Sequence, residues 1–158
     1  MEDAQLRKNI LQYLEGHHTL SLATMGEGLP HAATVFYVSL GFNIYFVSSP
    51  ASRHGLNISG QSRVSATINE DCSRWRSIKG IQMEGHVKTV GGIWENGRIA
   101  LAFVKKFPDV ADFFVSPPQL GEKIWDKVKE TSFYELSPIC IRYIDNELGF
   151  GHREELVL

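Results

Sequence analysis

The chain has 158 residues, the size of one domain, and can bury a core without a metal or disulfide staple. Hydrophobic residues make up 43% and charged residues 22%, which excludes global disorder. Its 16 basic and 18 acidic residues leave a net charge of -2, which excludes a strongly basic nucleic-acid binder.

The first predicted element is a helix over residues 2–15. Leu6, Ile10, Leu11 and Leu14 recur at spacings of three and four, and Gly16 ends it. Three strands follow, Leu20–Thr24, Pro30–Ser39 and Ile44–Ser48, joined by the turns Gly26-Glu27-Gly28 and Leu40-Gly41-Phe42-Asn43. The connections are too short for helical crossovers, so the three form an antiparallel meander. Ser49-Pro50-Ala51 breaks the sheet, and Ser52 is an N-cap for a short helix to about Ser59. A fourth strand, Arg63–Asn69, alternates Val64, Ala66 and Ile68. After a loop holding Asp71, Arg74 and Trp75 comes a long fifth strand, Ile78–Val90, with Ile81, Met83, Gly85 and Val87 on one face. Gly91-Gly92 closes it.

Ile93–Lys106 reads as a helix with Ile99, Phe103 and Val104 on one stripe, interrupted by Pro108. A further helical turn is predicted over Val110–Val115, a break at Pro117-Pro118 and a short helix over Glu122–Glu130. Ser132–Asp145 is a long β-rich strand, with Leu148–Leu158 pairing beside it. The sum is a single α+β domain over 1–158: five or six antiparallel strands in a barrel with three to five flanking helices.

The two cysteines, Cys72 and Cys140, form no CxxC pair, so neither a disulfide framework nor a Cys-based zinc site is expected. The N-terminus Met1-Glu2-Asp3-Ala4-Gln5 lacks a signal peptide's basic and apolar regions. No apolar run approaches the ~18 residues of a spanning helix. A cytoplasmic protein with no membrane or nucleic-acid partner is the expectation. HExxH, GxxxxGK[ST], GxGxxG and GxSxG are all missing from the sequence, and no metal site is expected.

Three segments carry chemistry. In Val47-Ser48-Ser49-Pro50-Ala51-Ser52-Arg53-His54, hydroxyls, an Arg and a His gather where a strand ends and a helix begins. Free amides at a helix start attract anions, and Arg53 and His54 add donors. That is a terminal-phosphate site, or an ordinary N-cap followed by two solvated side chains. Pro30-His31-Ala32-Ala33-Thr34-Val35 holds small side chains that let a flat ligand approach the backbone, or simply fill a barrel. Trp75 can stack on a ligand or anchor an interface, and Gln82 can bond a heterocycle edge or face solvent.

Taken in order, these pieces resemble the FMN-binding split-barrel family of pyridoxamine 5'-phosphate oxidase-like proteins. The resemblance runs from about Thr19 to Val90. It implies an antiparallel split β-barrel with flanking helices and a homodimer holding FMN at the subunit interface. By resemblance, His31, Ala32, Ala33, Thr34 and Val35 line the isoalloxazine and ribityl chain. Val47, Ser48 and Ser52 lie near the ribityl phosphate, and Arg53 and His54 match the family's basic pair on it. Gln82 matches the strand that meets the flavin edge, and Trp75 is a contact from either subunit.

The family often has Lys where this chain has His54, so that charge depends on pH here. The family's arginine-rich substrate signature is not found near Glu135-Leu136-Ser137-Pro138 or Gly149–Glu155, so vitamin B6 oxidation is not implied. The implied function is a flavin-dependent oxidoreductase of unknown small-molecule substrate and electron donor. The nearest candidates for acid or base are Tyr37, His31, Trp75 and His152. The alternative is a non-catalytic binding module for flavin, deazaflavin or haem, or a redox sensor.

Overall fold

The computed structural model describes residues 1–111 and 130–158. Helix α1, Asp3–Gly16, turns Leu6, Ile10, Tyr13 and Leu14 into the core. The strands are β1 (Thr19–Gly26), β2 (Leu29–Leu40), β3 (Asn43–Ser48), β4 (Arg63–Asn69), β5 (Lys79–Thr89), β6 (Ser132–Asp145) and β7 (Arg153–Val157). Helix α2, Arg53–Gly60, follows β3, and α3, Ile93–Lys106, follows β5. The predicted Pro117-Pro118 break, the short helix from Glu122 and the end of the Val110–Val115 turn lie outside the described residues.

The strands pair in the order β3-β2-β1-β4-β5-β6, and β3 pairs back onto β6 to close a six-stranded antiparallel barrel. The fold is the expected split barrel, with three described α-helices around it. Strand β6 serves two partners besides β5. Its first part, Ser132–Leu136, pairs with β3, and Cys140–Ile144 pairs with β7. The change falls at Pro138, whose missing N–H suits a position without a second partner. Here the β5–β6 register also shifts: Glu84 faces Cys140 and Gly85 faces Pro138, so Ile139 bulges.

Inward residues alternate along each strand, as the period of two requires. Leu20 and Leu22 of β1, Val64 and Ile68 of β4, and Ile81 and Met83 of β5 meet α1 in one core cluster. Val38, Tyr45, Val90, Ile99 and Phe103 form a second, smaller cluster under α3. Helix α2 seats on β1, where Asn57 Nδ2 donates to Thr24 Oγ1 at 3.0 Å. Gly26 makes that approach possible, because a Cβ there would fall 2.0 Å from Asn57 Oδ1.

Ser52 is the predicted N-cap: the Gly55 N–H donates to its Oγ at 3.1 Å. Ser52→Ala is expected to cost about 1 kcal/mol, read as a melting temperature lower by roughly 2–4 °C in a thermal denaturation scan.

Candidate functional site

The end of β3 and the first turn of α2 place the polar groups. Ser48 Oγ shares a hydrogen bond with His54 Nε2 at 2.5 Å and lies 3.3 Å from Ser52 Oγ. The His54 ring stacks parallel to His31 of β2, centroids 6.4 Å apart and planes 7° apart. Burial holds the His54 imidazole below its ordinary pKa, and the neighbouring His31 lowers it further. His54 is therefore a neutral hydrogen-bonding group at neutral pH.

Arg53 takes the other side of the same turn, since successive helix residues diverge by about 100°. Its side chain is 46% exposed, approaches Glu27 at 3.9 Å, and lines a depression with Gly26, Leu56 and Asn57. The predicted basic pair thus flanks the start of α2 rather than converging on one point.

Strand β2 divides the predicted stretch between two faces. Val35 pairs with inward Leu20 and Ala33 with inward Leu22, so His31, Ala33 and Val35 share the inward side. Ala32, Thr34 and Phe36 face outward. Thr34, Val35, Val47, Ser48 and His54 line one wall of a cavity of about 450 Å³. Its opposite wall is Phe103 of α3 with Phe107, Asp109 and Val110 just beyond.

Ala32 and Gln82 belong to a second, shallower depression on the outer face of the barrel. It is bordered by Ser65, Thr67 and Arg142 and has a volume of about 350 Å³. Ala32 and Thr34 are neighbouring outward positions of β2, about 7 Å apart, so the outward face of that strand runs from one depression to the other. Gln82 stands between Thr67 and Arg142 in register. Arg142 donates to Glu84 at 2.7 Å and to Glu155 at 2.8 Å, which fixes its guanidinium at the rim.

Trp75 lines neither depression. It sits in a short 3-10 turn, packs edge-on against Phe150 with centroids 5.5 Å apart, and its carbonyl accepts from Asn146 Nδ2 at 2.7 Å. Tyr37 is fully buried and donates to the Leu14 carbonyl at 2.8 Å. Burial pushes its phenol well above the ordinary range, so Tyr37 ties β2 to α1 and is not poised as an acid. His152 lies 3.1 Å from Glu154 beside β7.

Sequence reasoning missed Phe103, Phe107, Asp109 and Val110 as cavity residues, and Arg142. Phe103 was legible only as a member of the apolar stripe of α3. Phe107 and Asp109 follow the last turn of α3, where no periodic signal operates. Arg142 reaches Gln82 only through strand pairing across 60 residues of chain. Among the described residues no cluster of three metal-ligating side chains exists, and no helix is long and apolar enough to cross a membrane.

The sequence family described as Pyridoxamine 5'-phosphate oxidase matches residues 6–98. A UPF0306 protein of Klebsiella pneumoniae subsp. pneumoniae is 27% identical over 146 residues, spanning 90% of this chain and 86% of that protein. HutZ, the heme storage protein of Vibrio cholerae, is similar in structure with a TM-score of 0.66 at 17% identity, over 96% of this chain and 94% of its own. An FAD-binding protein from Mesorhizobium loti is similar with a TM-score of 0.63 at 17% identity, over 85% of this chain and 90% of its own. The family match ends at Arg98, so the wall from Phe103 to Val110 lies beyond it.

Proposed function

The chain belongs to the pyridoxamine 5'-phosphate oxidase family, and from that premise we propose that it binds FMN and acts as a flavin-dependent oxidoreductase on a small molecule. The observation that carries this reading is the start of α2. Ser48, Ser52 and His54 are bonded together there, Arg53 flanks the same turn, and the small outward side chains of Ala32 and Thr34 lie alongside. Those groups fit a phosphate followed by a flat ring system. Arg53 is the cationic fork for the phosphate. Ser48 and the first-turn amides of α2 are further donors. Outward β2, with no large side chain before Phe36, leaves its surface open to a planar group. When bound, the flavin would accept hydride, and the protein would supply orientation and electrostatics.

A second copy of the chain is proposed to cover the outward face beside the flavin. Met25 and Phe36 are 46% and 63% exposed there, an apolar surface that association would bury. Light scattering is expected to give the mass of two chains. The flavin reading is favoured over haem because His54, the one described histidine lining the cavity, has its Nε2 engaged by Ser48.

The direct experiment is an absorbance spectrum of the purified protein followed by FMN titration. Flavin bands or saturable micromolar binding are expected, and a colourless protein that ignores FMN overturns the reading.

His54 gives this site a pH dependence. Its charge is missing at neutral pH in the free protein and is acquired as pH falls, and a phosphate nearby would favour the protonated ring. Relative to His54→Lys, wild-type FMN affinity is expected to rise as pH is lowered from about 8 to about 5.5. Parallel titrations of the two proteins check this; matching profiles would place His54 away from the phosphate.

A further inference from the structure

We propose that Glu27 is a built-in competitor for the ligand's phosphate: its carboxylate holds Arg53 away from the start of α2 until a phosphorylated ligand displaces it. This role of Glu27 rests on the flavin reading above, and it filters ligands by charge.

The positions of the two side chains carry the inference. Ser48, Ser52 and His54 gather on one side of the first turn of α2, whereas Arg53 lies on the other. There its Nη2 stands 3.9 Å from Glu27 Oε2. The Glu27 side chain is 89% exposed and that of Arg53 46%, so neither is locked in place. A long, exposed pair of this kind yields readily to a better anion. A phosphate is that anion, because it takes the guanidinium fork through two charge-assisted bonds.

The backbone puts Glu27 in reach. Glu27 sits in the hairpin between β1 and β2 with φ of +53°, and Gly28 follows at +75°. Two successive left-handed positions suit a two-residue turn, for which Asn or Gly is the favoured first residue. A glutamate costs the turn something, and its side chain gains the ion pair with Arg53. The hairpin is also fixed against α2, since Asn57 donates to Thr24 and fits only because Gly26 has no Cβ. Glu27 and Arg53 therefore face each other across one depression, bordered by Met25, Leu56 and Gln61.

The consequence is a charge filter. A phosphate monoester carries about −1.5 to −2 charges at pH 7 and outcompetes one carboxylate for Arg53. A monoanion meets an equal rival. A flavin without phosphate does not engage Arg53 and is indifferent to Glu27.

The test reads FMN and riboflavin affinities by flavin fluorescence for wild type, Glu27→Gln, Arg53→Ala and the double variant. Glu27→Gln is expected to bind FMN about 3- to 10-fold tighter, with riboflavin unchanged within about twofold. In the Arg53→Ala background the same change is expected to move FMN by no more than about twofold. FMN affinity of Glu27→Gln is expected to fall more steeply with salt than that of wild type, because in wild type salt also weakens the competitor. Glu27→Asn, with a side chain at home in left-handed backbone, is expected to repeat the FMN result with no loss of melting temperature. Equal FMN affinity in wild type and both Glu27 variants overturns the proposal, as does a gain that persists in full without Arg53. A protein that binds neither flavin overturns the flavin reading, and pyrophosphate calorimetry then decides on Glu27. Binding to Glu27→Gln tighter by about threefold or more upholds the hold on Arg53, and equal binding overturns it.

Discussion

Arg53→Ala is expected to weaken FMN binding by about 10- to 100-fold, the ~1.5–3 kcal/mol of a charge-assisted phosphate contact. The fold is expected to survive. Arg53 is half exposed, and its approach to Glu27 at 3.9 Å is the kind of surface pair worth about 0–1 kcal/mol. The loss should therefore appear in affinity and not in the melting curve. Arg53→Lys keeps the charge but gives up the planar fork, so it is expected to fall between the two. Quenching of flavin fluorescence at fixed salt reads all three proteins. An alanine variant that binds like wild type would mean that the phosphate does not sit at the start of α2.

Gly85→Ala is expected to be the most damaging single-methyl change in the barrel, at about 3 kcal/mol and a melting temperature lower by roughly 6–12 °C. A Cβ at Gly85 would lie 2.3 Å from the Ser137 carbonyl oxygen and 2.9 Å from Pro138 Cα. Both are backbone atoms, so no rotamer change relieves the clash. The site is also the bulge where β6 passes from β3 to β7. Forcing the strands apart there disturbs barrel closure as well as local packing. Gly60→Ala is the control, since a Cβ there meets nothing within 4 Å. A thermal scan in which Gly85→Ala and the control melt together would rule out the close approach.

The helix over 2–15 was legible because its apolar residues recur at helical spacing, and the structure places it at Asp3–Gly16. Ser52 was legible as a cap because its hydroxyl suits the open amides of a first turn. Predicted Arg63–Asn69, Ile93–Lys106 and Ser132–Asp145 coincide with β4, α3 and β6. Pro138 was a discordant residue in the middle of a predicted strand. It marks the bulge and change of partner, a signal that could have been taken from the sequence.

The candidate site was legible only in pieces. The segment from Val47 to His54 was visible because strand end, cap and basic residues are contiguous. That Arg53 and His54 diverge follows from helix geometry, yet which of them meets the cavity depends on how α2 seats against Thr24 and Gly26. His31 to Val35 was one stretch in sequence and two faces in the sheet, because the pleat alternates.

By itself the sequence determined the periodicities, the turns and the cap, and with them the order of strands and helices, because those signals act between near neighbours along the chain. The tertiary structure alone decided the closure of β3 on β6, the meeting of Gln82 with Arg142, and the aromatic wall of Phe103 and Phe107 facing Ser48 and His54. Each of these joins residues many tens of positions apart. Such contacts are selected by the shared burial of a whole barrel, a quantity that no local pattern carries.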